Sequence, residues 1–386
     1  MVAIAAAGTG GHIYPGLAVA QQLRRLEPGV GVVFLTTRRG LGRELLARAG
    51  EQVQVVEGQP APFGLSWRLS WTVWAALRGT GQALGHLRRA GARAVLATGG
   101  YGSVPVALAA RLAGIPVVWH EQNAWPGRAT RLGGRLAQAV ALGYEEAARH
   151  LAPSVRARAR VVGNPVRAEI GAVSREEGAR RLGLDPGRPT VLVVGASQGA
   201  RRLNRAVVEA AGELARLEPA AQVLVSTGTA QFEEVADRLE GLWPGCRRDG
   251  AVRWGRLQVV PYLEDMAAAL AACDLAVSRA GAISIAELTV QGVPMVLVPY
   301  PYAAEDHQRR NAQVAADRGA AVVVPDEELT GQRLVEVVRQ LLQDEPRRRA
   351  MALASRSLGR PRAARELAEM VLAQALAGRA SPAVAR

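Results

Sequence analysis

A histidine among glycines is the first group in this chain able to do chemistry. His12 stands in the turn AGTGGHIYPG, Ala7 to Gly16, directly after the apolar run Val2 to Ala6. A glycine-rich turn between a buried strand and a helix lets backbone amides approach a phosphorylated ligand. An imidazole titrates close enough to neutral pH to act as a general base. The competing meaning of such a turn is the dinucleotide fingerprint GxGxxG, with an acid about twenty residues on for the ribose. Gly8 and Gly10 fit it, but Ile13 stands at the third glycine and the second strand ends in Thr36, Thr37, Arg38 and Arg39. A dehydrogenase therefore loses its two most discriminating residues.

Further segments repeat the device. TGGYGS, Thr98 to Ser103, sets Gly99, Gly100 and Tyr101 between a strand and a helix, as a cradle for a second phosphorylated ligand. In the second half, Ser197, Gln198 and Gly199 stand where a helix begins, so their amides and hydroxyl can meet a diphosphate. RAGAISIAE, Arg279 to Glu287, places small residues at another helix start, with Glu287 beyond them. A carboxylate there can accept both hydroxyls of a ribose. Metal-dependent sugar transfer usually shows an Asp-x-Asp pair; none is present, and the first aspartate of the chain is Asp185. No metal or other cofactor is expected. A base from the first half must be His12, His120, Glu121 or a more remote Glu or His, and the glycine turn favours His12.

Strand-length apolar runs alternate with helical patterns, which predicts α/β architecture with doubly wound parallel sheets. Strands are expected near Val2–Ala6, Val32–Thr36, Gln52–Val56, Ala94–Ala97 and Pro116–Trp119. A second series follows near Thr190–Val194, Gln222–Ser226, Gln258–Val260, Leu275–Ser278, Met295–Val298 and Ala321–Val324. The restart after Asn164-Pro165 predicts two Rossmann-like domains, 1–166 and 167–360, facing across a cleft at the carboxyl ends of their strands. An amphipathic tail, Pro361 to Leu376, is expected as a helix joined to the first domain (361–377), with Ala377 to Arg386 frayed.

The formal net charge is +14 and every basic residue is Arg. From Gly58 to His120 there is no acid, while Arg68, Arg78, Arg88, Arg89, Arg93 and Arg111 fall inside. Such asymmetry suggests an anionic partner, nucleic acid or membrane. In the same zone Trp67, Trp71 and Trp74 share a helical face, preceded by Phe63 and flanked by Arg68 and Arg78. A core stripe is the usual meaning; the choice of Trp and the lack of acids favour a peripheral patch on an anionic membrane. Only Cys246 and Cys273 are present, no secretory leader precedes the first strand, and no stretch reads as a membrane span, so a cytoplasmic setting is expected.

Taken together, GTGGHIYPGLAVA (Gly8–Ala20), TGGYGS, HEQN (His120–Asn123), VVGNPVR (Val161–Arg167), GASQGARRLN (Gly195–Asn204), RAGAISIAE and EDHQRRNA (Glu305–Ala312) resemble the bacterial cell-wall glycosyltransferases that convert the first lipid-linked peptidoglycan precursor into the second. The resemblance covers nearly the whole chain in order. It implies a GT-B fold and inverting transfer of N-acetylglucosamine from UDP-GlcNAc to the 4-hydroxyl of the muramyl-pentapeptide on undecaprenyl diphosphate. The setting it implies is the cytoplasmic face of the cell membrane, with cell-wall synthesis proteins as candidate partners. Carried over by position, Leu263 would meet the uracil through its backbone and Glu287 the ribose. Ser197, Arg167 and the helix start Ala282, Ile283, Ser284, Ile285 and Ala286 would surround the diphosphate. Asn123 and Gln308 would hold the sugar, Thr9, Gly10 and Gly11 would close over it, and Gly99, Gly100 and Tyr101 would face the acceptor. Ala7 stands where the family often has glycine, and His307 where some members have Gln.

Three other classes compete. A GT-B UDP-sugar transferase with another lipid or natural-product acceptor is the nearest. A UDP-sugar epimerase needs acid and base groups that an Asp-free first half scarcely offers. A nucleic-acid-binding module fits the charge but has no recognisable motif, and its excess charge coincides with tryptophans.

Overall fold

The structure, a computed structural model, describes residues 1–8, 10–38, 42–58, 68–195 and 201–380, without the side chains of 68–73 and 378–380. The chain divides into two compact units, Met1–Arg167 with Arg360–Arg386, and Ala168–Gly359.

In the first unit, strands β1 (Val2–Ala5), β2 (Val32–Thr37), β3 (Val53–Val56), β4 (Ala94–Ala97), β5 (Val117–Glu121), β6 (Ala139–Leu142) and β7 (Ala159–Val161) form a sheet in the order β3-β2-β1-β4-β5-β6-β7. Every pairing is parallel. Successive strand residues point to opposite faces, so a sheet buried on both sides must be apolar throughout, and β1 is buried at every position. Val2 and Ile4 pack with Ile13, Val19 and Leu23 of helix α1 (Gly10–Leu26), Leu46 of α2 (Gly42–Arg48) and Leu367 and Val371 of the terminal helix Ala363–Ala380. Ala3 and Ala5 face Ala83 and Leu87 of α3 (Arg68–Arg89), Val106 and Ala110 of α4 (Ser103–Leu112) and Ala129 of α5 (Arg128–Leu136). Close approach of α1 to the sheet depends on Gly16, where a Cβ would stand 3.1 Å from the Phe34 ring and 3.2 Å from Ile4 Cγ2.

The second unit carries β8 (Thr190–Val194), β9 (Gln222–Ser226), β10 (Arg247–Arg248), β11 (Ala251–Trp254), β12 (Leu257–Val260), β13 (Leu275–Ser278), β14 (Met295–Leu297) and β15 (Ala321–Val323). Their order is β10-β11-β12-β9-β8-β13-β14-β15. In each sheet the winding reverses beside its first strand, between β1 and β4 and between β8 and β13. In open α/β sheets ligands bind at the carboxyl ends of such strand pairs. The turns after β1, β4, β8 and β13 are the glycine-bearing segments of the sequence.

Several details differ from expectation. The second sheet is mixed, because β10, β11 and β12 pair antiparallel. β6, β7, β10 and β11 were not anticipated; they are short, and β7 and β10 lie on exposed edges with little apolar signal. Asp249 and Gly250, at φ +52° and +71°, form the tight turn between β10 and β11, so the Asp-Gly pair was the available hairpin signal. The first turn is also shorter than Ala7 to Gly16, since α1 already opens at Gly10. The terminal helix runs to Ala380, past the expected fraying point.

Candidate active site

The two turns of the first unit converge on one backbone carbonyl. Gly10, Gly11 and His12 form the first turn of α1. Thr98, just after β4, donates its hydroxyl to the His12 carbonyl at 2.8 Å and lies 3.2 Å from that of Ala5. Its own carbonyl stands 2.9 Å from His12 Nδ1 and also accepts from Gln122 Nε2. A carbonyl can only accept, so this network puts the imidazole proton on Nδ1 and makes Nε2 the basic nitrogen. Gly99 and Gly100 adopt φ of +90° and +78°, and a Cβ on either would stand 3.3–3.4 Å from atoms of the His12 ring. Ser103 closes the second turn by donating its hydroxyl to the Gly99 carbonyl at 2.6 Å, and the same oxygen lies 3.0 Å from the Ala5 carbonyl. Tyr101 stands exposed beside them.

The other base candidates are otherwise engaged. His120 is fully buried; burial pushes its imidazole down to about 4, and its Nε2 lies 3.3 Å from the Gly163 carbonyl. A neutral ring donating there is a structural strut. The Glu121 carboxylate accepts from the Asn123 N–H (2.8 Å), the Asn123 amide (3.1 Å), the Gly127 N–H (3.1 Å) and the Thr130 hydroxyl. It shapes the loop that presents Asn123. Arg167, last residue of this unit, holds its guanidinium 5.1 Å from the Tyr14 ring centre, beside α1.

In the second unit the helix Ala282–Gln291 starts at Gly281, leaving amides at its N-terminus for an anion. Ala282, Ile283 and Ile285 anchor it in the core, while Ser284, Ala286 and Glu287 are half-buried. Ser284 and Glu287 share a face at i, i+3. Leu263 is buried in the segment after β12. Gln308 opens the helix His307–Asp317 and accepts the Tyr300 N–H through Oε1 at 2.9 Å. His307 turns back to the Ala304 carbonyl at 2.6 Å. Just before them Glu305 and Asp306 hold left-handed φ of +53° and +56°, a strained backbone of the kind found at ligand clamps.

Thr9, Phe63, Trp67 and Ser197 lie outside the described residues, as do the side chains of Arg68 and Trp71. On α3, Trp74 is 44% and Leu77 65% exposed. The Arg78 guanidinium lies 5.2 Å from the Trp74 ring centre and 3.8 Å from Glu57. Among the described residues no group of three or more His, Cys, Asp or Glu is placed to hold a metal ion, and no helix is long and apolar enough to cross a membrane.

Sequence reasoning did not single out Thr98, Gln122, Tyr14, Tyr300 or the buried Arg279–Asp326 pair. Thr98 and Gln122 sit inside quoted motifs, yet nothing local marks a carbonyl or amide that acts across 86 or 24 positions.

Residues 2–142 match the glycosyltransferase family 28 N-terminal domain and 190–367 its C-terminal domain. The UDP-N-acetylglucosamine–N-acetylmuramyl-(pentapeptide) pyrophosphoryl-undecaprenol N-acetylglucosamine transferase of Desulforudis audaxviator is 40% identical over 378 residues, 98% of this chain and 99% of that one. The crystal structure of Acinetobacter baumannii MurG is similar at 30% identity with a TM-score of 0.71, over 96% of this chain and 99% of that one. A putative UDP-N-acetylglucosamine 2-epimerase from Listeria monocytogenes superimposes at TM-score 0.67 with 15% identity, over 100% and 98% of the two chains, a likeness of fold alone. With both domain matches in order and this identity end to end, the chain belongs to the UDP-N-acetylglucosamine–N-acetylmuramyl-(pentapeptide) pyrophosphoryl-undecaprenol N-acetylglucosamine transferases of glycosyltransferase family 28.

Proposed function

We propose that this protein transfers N-acetylglucosamine from UDP-GlcNAc to the 4-hydroxyl of N-acetylmuramyl-pentapeptide on undecaprenyl diphosphate, with inversion, His12 acting as the base. The observation that carries the mechanism is the His12 ring, held by Thr98 between two glycine turns with Nε2 as its basic nitrogen. In the reaction the acceptor hydroxyl gives its proton to Nε2 as its oxygen attacks the anomeric carbon. The bond from that carbon to the diphosphate oxygen breaks on the opposite side, and UDP leaves with the electron pair. The developing negative charge is met by the amides at the start of helix Ala282–Gln291 and by Arg167. Glu287 takes the ribose diol, Leu263 the uracil, and Asn123 and Gln308 the sugar; Gly99, Gly100 and Tyr101 face the acceptor. The first unit, Met1–Arg167 with Arg360–Arg386, serves the acceptor and the membrane, and Ala168–Gly359 serves the donor. The protein works at the cytoplasmic face of the cell membrane, bound peripherally through Trp74, Leu77 and the arginines of α3.

The test is incubation with radiolabelled UDP-GlcNAc and a short-chain lipid-linked muramyl-pentapeptide. Label in a disaccharide-lipid product, with a β linkage at the muramyl 4-oxygen, is the expected result. No transfer to that acceptor, or an α linkage, rejects the proposal.

A further inference from the structure

Arg279 is a charged side chain in the core of the second unit, and its contacts run towards Gln308. It follows β13 directly, only 5% exposed. Its Nη1 donates to Asp326 at 2.5 Å and lies 3.2 and 3.4 Å from the carbonyls of Val298 and Pro299. Its guanidinium carbon is 5.5 Å from the Tyr300 ring centre. Removing such a charge from water is costly, so a buried guanidinium has to be matched by a carboxylate and by carbonyls. A core could be built with an apolar residue here; the arginine instead holds the backbone 298–300 through the Val298 and Pro299 carbonyls and the Tyr300 ring. The next N–H along that backbone, of Tyr300, donates to Gln308 Oε1. The segment after β13 holds that helix as well, since the Asn311 amide donates to the carbonyl of Ala280, the residue after Arg279, at 3.3 Å.

We propose that Arg279, paired with Asp326, is a positioning residue for the donor sugar: it holds the 298–300 backbone so that Tyr300 N–H occupies the Gln308 oxygen and the Gln308 NH2 group is presented as a donor to a sugar hydroxyl. This rests on the reading of Gln308 as a sugar contact. Without the pair, the loop relaxes and the amide loses its fixed orientation. The uracil and ribose contacts, on Leu263 and Glu287, stay as they are. The loss is therefore confined to ligands that carry the sugar.

The experiment compares UDP and UDP-GlcNAc by calorimetry on the full-length protein, wild type, Asp326→Asn, Asp326→Glu, Gln308→Ala and the Asp326→Asn/Gln308→Ala double variant. Asp326→Asn should weaken UDP-GlcNAc about tenfold while UDP stays within about twofold. Asp326→Glu should restore most of the loss, and Asp326→Asn should add nothing on top of Gln308→Ala. An equal weakening of both ligands, an unchanged UDP-GlcNAc affinity, or full additivity in the double variant overturns the proposal. If Gln308→Ala alone leaves the preference for UDP-GlcNAc over UDP intact, the underlying sugar-contact reading has failed, and this route with it. Should Asp326→Asn not fold, Tyr300→Pro at its exposed position, which removes the N–H that fills Gln308 Oε1, carries the same comparison. A loss confined to UDP-GlcNAc supports the route; a shared loss or none overturns it.

Discussion

His12 Nδ1 and the Thr98 carbonyl meet at 2.9 Å across 86 positions of sequence. The bond joins the turns after β1 and β4 and sets the tautomer of the ring. His12→Ala should lower turnover by about 10²–10⁴-fold, the usual worth of a positioned base, and leave UDP-GlcNAc affinity within a few-fold. Steady-state kinetics beside equilibrium binding decide this. Unchanged turnover removes His12 from the chemistry.

The glycines behind the ring should be almost as sensitive. Gly99 has φ +90°, and its missing Cβ would press on His12 and Gln122 at 3.2–3.4 Å. Gly99→Ala should cost about 1–3 kcal/mol of stability through backbone strain and displace the imidazole, lowering kcat more than it raises KM for the donor. Thermal melts and initial rates on the same sample test it; full activity would mean the turn has room to spare.

Buried His120 gives the fold an acid sensitivity. The free imidazole titrates near 6.5 and the folded one near 4. Between those values the unfolded chain binds the extra proton, so stability falls as pH drops from 6.5 to 4 and levels off below. The full effect of this group is about 3 kcal/mol at most. His120→Gln keeps a donor at the Nε2 position for the Gly163 carbonyl without titrating. Chemical denaturation between pH 7 and 4.5 should show a shallower slope in this variant, and equal slopes would reject the assignment.

On α3, Trp74 and Leu77 present apolar surface to solvent next to Arg78. Trp74→Ser with Leu77→Ser should reduce co-sedimentation with anionic vesicles at least about fivefold, the loss of one to two kcal/mol of interfacial burial, with UDP-GlcNAc binding untouched. Wild-type levels of vesicle binding in the double variant would place membrane contact elsewhere. Preference for duplex DNA over vesicles in the same salt would point to nucleic acid instead.

Local pattern carried much of this molecule. The apolar runs that became β1, β4, β8, β9 and β13 are bounded by glycine turns and buried, so strand and turn could be read from neighbouring residues alone, while the switch points needed the sheet order. The β10–β11 hairpin escaped because its two-residue strand is polar, although Asp249-Gly250 announced it. The site divides the same way. His12 and Glu287 stand out by type in segments of small residues at helix starts. The residues that orient the site, Thr98 for His12 and Tyr300 for Gln308, act through backbone atoms that every residue possesses. Arg279 finds Asp326 across 47 positions, a pairing only the packed β13 to β15 region creates.

The terminal helix has a consequence for biogenesis. Leu367 and Val371 are wholly buried against the sheet that begins with Val2, so the second unit is an insertion within the first. During synthesis at about 5–20 residues per second, the N-terminal sheet waits roughly ten to forty seconds, one whole domain's worth of translation, for its last covering helix. Until then the apolar face of β4 and β5 lacks the cover that Leu367 and Val371 supply, while α1 and α2 already lie over β1. The donor half can fold ahead of it on the ribosome, and the half that begins the chain is the last to be finished.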